Sequence, residues 1–153
     1  MNGIRPARPA DAEELGAVHA GTWRETYSEL LPETVNRLTP ERSAEIFRRR
    51  GCRDVLVSEK DGKIVGFCVF ENSGGEGEII GLYVLRSAQN EGRGTALLKA
   101  AEELLKERKV SLVRLWVAEG NEHAIRFYRA RGFAFSSEKR QAPVPEAEMI
   151  VRL

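Results

Sequence analysis

Gln89-Asn90-Glu91-Gly92-Arg93-Gly94 stands between an apolar run, Ile79 to Leu85, and a stretch with the apolar spacing of an amphipathic helix. A strand that turns through glycines onto a helix start is a cradle for an anion. The first amides of a helix have no intrahelical partner, and the helix dipole places positive charge beside them. Gly92 and Gly94 let that backbone come close to a ligand. Two common phosphate motifs do not fit: a dinucleotide site requires a third glycine where Leu97 stands, and a triphosphate loop requires Gly-Lys followed by Ser or Thr.

Outward from that turn, glycines and prolines divide the chain into elements. Upstream, Lys60-Asp61-Gly62-Lys63 joins two β-rich runs, Val55 to Glu59 and Ile64 to Glu71, as a hairpin. A glycine-rich turn, Asn72 to Gly77, then leads into a strand from Glu78 to Val84. Ile4 to Ala7 reads as a first strand. Asp11, with Glu14 three residues on, makes a capping-box pattern at a helix whose Leu15, Val18 and Thr22 face inward. Helical spacing loosens from Trp23 to Pro32, and Thr39-Pro40 starts a second helix that ends at Arg50-Gly51. Downstream, the helix after Gly94 aligns Leu97, Ala101, Leu104 and Leu105 on one face and pairs Glu102 with Lys106 on the other. A strand from Leu112 to Val117 follows, and Asn121 caps a last helix that Gly132 terminates. Ala134 to Ser136 and Glu148 to Leu153 read as closing strands around a loop from Ser137 to Pro145. The order β-α-α-β-β-β-α-β-α-β-β predicts a mixed α/β (α+β) protein. Its sheet carries helices on both faces, and one domain spans residues 1–153; the elements do not alternate as in a doubly wound fold.

Gln89-x-x-Gly92-x-Gly94 after the strand Leu82-Tyr83-Val84 resembles the acetyl-coenzyme A motif of the GNAT family of N-acetyltransferases. A second block extends the resemblance: Asn121-Glu122-His123-Ala124-Ile125-Arg126-Phe127-Tyr128, then Arg131-Gly132-Phe133, at the family's spacing. Together the blocks span roughly residues 78 to 133. One position departs, for the family often has proline two residues after the valine and this chain has Arg86. The resemblance implies a mostly antiparallel sheet of about six to seven strands, with the fourth and fifth splayed apart. It also implies that pantetheine amides pair with backbone near Leu82, Tyr83 and Val84. The pyrophosphate would rest on Gln89, Asn90, Gly92, Arg93, Gly94 and Thr95, and Asn121 would touch the cofactor as well as cap its helix.

Acetyl transfer from a thioester to an amine requires that the amine lose a proton and the departing thiolate gain one. By the resemblance, Tyr128 is the acid, since the family's tyrosine at this place points at the cofactor sulfur; the alternative is an aromatic packed with Ile125 on its helix. Glu78, a carboxylate at the start of the strand that carries the cofactor contacts, is the candidate base, acting through water. Its alternative is a strand-edge charge. Trp23 reads as core, whereas Glu25 and Tyr27 are acceptor-pocket candidates, and a pocket-facing Glu25 would favour a cationic amine.

Composition bounds the rest. With 24 Lys and Arg against 23 Asp and Glu, the net charge of +1 gives no chain-wide field for nucleic acid or an anionic membrane. Arg48-Arg49-Arg50 reads as a solvated helix end. Cys52 and Cys68 form no framework, the N-terminus has no signal-peptide core, and no run approaches a membrane span, so a cytoplasmic protein is expected. His19 and His123 lie far apart with no ligand spacing around them, so no metal is expected, and no Gly-x-Ser-x-Gly elbow is present. The expected activity is direct attack of a primary amine on bound acetyl-coenzyme A without an acyl-enzyme. The acceptor would be a small amine or amino acid, with a peptide or protein amine, or a coenzyme A binding module without transfer, as alternatives. Homodimers are frequent among the proteins it resembles.

Overall fold

The computed structural model describes residues 3–28, 38–141 and 144–153, with Tyr27 given by its backbone alone. In chain order the elements are β1 (Ile4–Pro6), α1 (Ala12–Tyr27), α2 (Pro40–Arg50), β2 (Val55–Lys60), β3 (Lys63–Ser73), β4 (Glu76–Val84), α3 (Arg93–Glu107), β5 (Leu112–Ala118), α4 (Glu122–Ala130), β6 (Ala134–Gln141) and β7 (Pro145–Arg152). The strands form a seven-stranded sheet ordered β1-β2-β3-β4-β5-β7-β6. β4 pairs with β5 in parallel, whereas β1 with β2, β2 with β3, β5 with β7 and β6 with β7 are antiparallel. The sequence-predicted element order and mixed sheet are both present.

The chain packs as two compact units, Met1–Val69 with Gly81–Ala101, and Phe70–Ile80 with Glu102–Leu153. In the first unit, β2 is a continuous buried run, as expected of a strand covered on both faces. Val55 and Val57 join Leu15, Val18, Phe47, Ile64 and Phe67 in the core beneath α1 and α2. Ser58, on the other face by strand alternation, is reached by Arg93 at the start of α3. The helices α1 and α2 cross closely at Gly16, where a Cβ would stand 2.5 Å from the Pro40 carbonyl oxygen and the Ala44 amide nitrogen. Any side chain at that position would force the helices apart. Asp61 and Gly62, both at positive φ, close the β2–β3 hairpin as the sequence predicts.

Three local expectations are corrected. The Asp11 and Glu14 pair does not form a capping box on α1. Asp11 is instead drawn to Arg5, at 2.8 and 3.1 Å, and to the Arg8 amide, while Glu14 accepts the Ile64 amide at 3.0 Å. Helical spacing does not fail at Trp23, for α1 continues to Tyr27; the expected loose stretch lies outside the described residues from residue 29 on. Third, most of the expected loop from Ser137 to Pro145 is strand. β6 runs to Gln141 and β7 starts at Pro145, with Ala142 and Pro143 outside the described residues. β6 stands at the end of the strand order with mostly exposed residues, so it lacks the apolar alternation by which strands are read.

In the second unit, β5 pairs with β7 along its full length, from Leu112 opposite Arg152 to Ala118 opposite Glu146. One face carries Val113, Leu115, Val117, Ala147 and Met149, all buried, and Leu105, Val110 and Ile125 are buried in the same unit. The β4–β5 ladder is short: it covers Glu76 to Ile79 against Leu112 to Leu115.

Candidate active site

The first unit holds the glycine turn. After β4, Leu85 is extended and Arg86–Ala88 form one 3-10 turn, closed by the Ala88 amide donating to the Leu85 carbonyl at 2.8 Å. Gln89 then folds its side chain back, its Nε2 donating to the Val84 carbonyl at 2.9 Å. This braces the neck of the turn, so Gln89 offers a ligand its backbone more than its carboxamide. Asn90 and Gly92 take left-handed conformations, φ 64° and 77°. Gly92 occupies the capping position of α3, since the Ala96 amide donates to its carbonyl at 3.0 Å. A Cβ at Gly92 would meet nothing within 4 Å, so backbone conformation and not crowding requires glycine here. The amides of Arg93, Gly94 and Thr95 precede the first intrahelical bond, and the first turn of α3 contains no acidic residue.

Glu91, the one carboxylate within the turn, is restrained. It accepts from Lys60 at 2.8 Å and from Arg93 Nε at 2.9 Å, and these partners hold its carboxyl below the usual range. Arg93 also donates to Ser58 Oγ and the Glu59 carbonyl, at 3.0 and 2.9 Å, which fixes the helix start to β2. Of the three β4 residues predicted as cofactor contacts, Tyr83 turns its ring toward α1, 5.3 Å from both His19 and Phe67. His19 was not singled out by the sequence. It bonds the fully buried Ser43 hydroxyl at 2.7 Å, and burial lowers its pKa to about 4. Its place one helical turn after Leu15, on the apolar stripe of α1, was the available signal.

Arg86, where the resembling family often has proline, makes two bonds to one residue. Its amide donates to Glu25 Oε1 at 3.0 Å, and its guanidinium donates to the Glu25 carbonyl at 2.9 Å. Of the Glu25 carboxylate, expected in the acceptor pocket, Oε1 is engaged by the Arg86 amide. Trp23 is half-buried on α1, and the side chain of Tyr27 lies outside the described residues.

The second unit holds the other predicted site residues. A Cβ at Gly77 would meet the side chains of Leu105 and Val110 at 3.2 Å, so its neighbour Glu78 faces the opposite side of the sheet. There Arg114 is its cross-strand partner. Arg114 is also paired with Glu76 and, at 3.4 Å, with Glu148, which in turn accepts from Ser136 Oγ at 2.6 Å. Glu78 is half-buried, and its pKa is raised first by that burial and then by the charge of Glu71; Arg114 and Arg140 oppose the shift. Glu71, Arg114 and Glu148, which set this electrostatic surrounding, carried no motif in the sequence.

Asn121 caps α4, its Oδ1 accepting the Ala124 amide at 3.2 Å. Tyr128 is buried on α4 between edge-on rings of Phe127 and Phe133, with centroids 5.2 and 5.6 Å away. Ile125 of α4 lines a cavity of about 350 Å³ with Ala147, whose neighbour Glu148 lies on the Glu78 side. The helix of Tyr128 and the carboxylate of Glu78 are therefore on opposite faces of the sheet.

Three comparisons meet this geometry. A model of the acetyltransferase (GNAT) family matches residues 20–133, which include the glycine turn and Tyr128. The chain is 32% identical, over 134 residues, to an uncharacterized N-acetyltransferase of Bacillus subtilis (strain 168), covering 83% of this chain and 77% of that protein. Its fold is similar to the crystal structure of an N-acetyltransferase from Thermoplasma acidophilum in complex with coenzyme A. That likeness has a TM-score of 0.78 and 24% identity over 98% of both chains. It is also similar to a ribosomal-protein-alanine N-acetyltransferase from Brucella melitensis, with a TM-score of 0.77 and 26% identity over 98% of this chain and 99% of that one. With that family model over residues 20–133 and a relative 32% identical over 83% of this chain, the chain belongs to the acetyltransferase (GNAT) family.

Proposed function

We propose that this protein transfers an acetyl group from acetyl-coenzyme A to a primary amine by direct attack. The single observation that carries the reading is the start of α3: a glycine at the cap, open space above it and no acid in the first turn. These features fit a pyrophosphate, which would take the amides of Arg93, Gly94 and Thr95 and the positive end of the helix dipole. Leu82, Tyr83 and Val84 would supply backbone to the pantetheine arm, and Asn90 and Gln89 would shape the turn. Acetyl-coenzyme A brings the activated thioester. Glu78, raised in pKa by burial, would collect the amine proton through water, and Tyr128 would donate a proton to the departing thiolate.

A small amine or amino acid is the proposed acceptor. The Brucella relative, named for a protein substrate, favours a peptide amine as the second reading. β3, β4 and α3 each run through both units, which supports residues 1–153 as one catalytic domain. Among the described residues no helix is long and apolar enough to cross a membrane. Cys52 and Cys68 are both thiols, which supports a cytoplasmic setting. The test is thiol release from acetyl-coenzyme A over a panel of amines, amino acids and peptides. Release that depends on one acceptor class supports transfer, whereas binding of coenzyme A with no release on any acceptor would leave a binding module.

A further inference from the structure

We infer that Arg86 and Glu25 form a positioning tether through which the anion-binding turn holds the C-terminal end of α1, so that occupation of the turn is transmitted to that helix end. The inference rests on the reading of the turn as the coenzyme A site.

The last two turns of α1 meet the segment after β4 at residues one helical turn apart. At Gly21 a Cβ would stand 3.3 Å from the Leu85 side chain, and at Glu25 the two Arg86 bonds form. Those bonds are reciprocal: the backbone of Arg86 is held by the side chain of Glu25, and the backbone of Glu25 by the side chain of Arg86. Neither backbone can shift without breaking one of them. The Glu25 carbonyl lies in the last turn of α1, where carbonyls lack intrahelical partners and the dipole is negative, so a guanidinium caps it favourably. On its other side Arg86 accepts the Gln89 amide at 3.3 Å, and Gln89 braces Val84. Turn, Gln89, Arg86 and α1 end are thus joined by consecutive hydrogen bonds. Because the Arg86–Glu25 bonds are exposed, their energy is modest and their effect is local.

The backbone allows a clean subtraction. Leu85 has φ −55° and ψ 141°, the conformation preferred before proline, and Arg86 opens a 3-10 turn, where proline fits. Arg86→Pro therefore keeps the path of the chain while removing both the N–H and the guanidinium. Amide hydrogen exchange of the full chain, with coenzyme A as the probe, reads the outcome. In wild type, saturating coenzyme A should slow exchange at residues 85–96 and also at 22–28, the latter about fivefold, the lower edge of ordinary coupling between sites. In Arg86→Pro the response at 85–96 should persist and that at 22–28 should vanish. Glu25→Ala should behave alike and carries the test if the proline variant does not fold. Glu25→Gln keeps an oxygen for the Arg86 amide and should restore the response. Protection at 22–28 that survives in both Arg86→Pro and Glu25→Ala, or that is missing from wild type while 85–96 is protected, overturns the tether. A wild type with no protection at 85–96 overturns the coenzyme A reading itself, a failure visible at a different place.

Discussion

Asn121 closes the start of α4 with its own side chain, and Glu122 adds a carboxylate to the first turn; α3 begins with glycine at the cap and no acid beside it. α2 sides with α4, for Thr39 accepts the Arg42 amide ahead of Glu41, whereas α1 has no side-chain cap and carries only Glu13 and Glu14 in its first turn. Glycine at the cap in place of such a side chain costs only a few tenths of a kcal/mol. Asn121 and Thr39 each occupy one amide of their helix starts, whereas the glycine at the start of α3 brings no side chain to compete with an outside anion. Under the proposed function, the start of α3 would bind the cofactor, and Glu78 and Tyr128 would handle protons.

Variants of the second unit should therefore change turnover, and variants of the α3 start should change cofactor binding. The largest effect is expected from Tyr128→Phe, which should lower turnover about a hundredfold or more while coenzyme A affinity stays nearly constant. Full turnover with the best acceptor would remove Tyr128 from the proton transfer. Next comes Gly92→Val. Wild type should gain about 2.7 kcal/mol from coenzyme A at a hundredfold excess over its dissociation constant, and the variant should lose most of that gain. A melting shift as large as that of wild type would place the anion elsewhere.

Glu78→Gln should cost about tenfold at neutral pH, less than Tyr128→Phe because free amine can still react. The sign of its pH dependence follows from the raised pKa. In wild type, kcat/KM should climb through a carboxyl titration above the ordinary carboxylate range as the base form appears, then level off. In the variant it should keep climbing toward the pKa of the amine, near 10 for a lysine-like group. Superimposable profiles would make Glu78 a charge of the sheet surface. The smallest effect sharpens the contrast most directly. Asn121→Ala should cost about 1 kcal/mol in urea unfolding and also lower coenzyme A affinity modestly, since Asn121 would touch the cofactor as well as cap its helix. Unchanged affinity would confine it to the cap.

The element order was legible because local signals agreed with the fold. Asp61-Gly62 sits between β-rich runs, Thr39-Pro40 and Asn121 mark helix starts, and Ile79 to Leu85 leads into the glycine turn. The failures share a cause. Asp11 and Glu14 have the spacing of a capping box, yet their partners are Arg5 on β1 and Ile64 on β3, distant in sequence, and a long-range charge pair outcompetes a local cap. The Arg86 amide that Glu25 accepts lies 61 residues away, beyond the reach of any local pattern. The residues that tune Glu78, namely Glu71, Arg114, Arg140 and Glu148, come from four different strands, and only sheet order brings them together. Motifs report contacts made within a few residues, and this electrostatic surrounding is built from contacts that are not.

The irregularity in β6 has a consequence for the behaviour of many copies together. Its pairing with β7 shifts between Phe135 and Lys139, with Ser137 at φ 80°, and the Ser136 hydroxyl accepts the Glu138 amide at 3.3 Å while donating to Glu148. β6 is last in the sheet order, so its outer backbone groups would otherwise offer a flat template on which a strand of another molecule could dock and start a fibril. The kink breaks the even spacing such docking needs, and Glu138, Lys139 and Arg140 would bury charge in any strand added there. Phe135, exposed beside the kink, is covered by Arg129 at 5.1 Å. The exposed, charged and kinked sequence that hid β6 from a strand reading thus also makes its edge a poor template for edge-to-edge pairing.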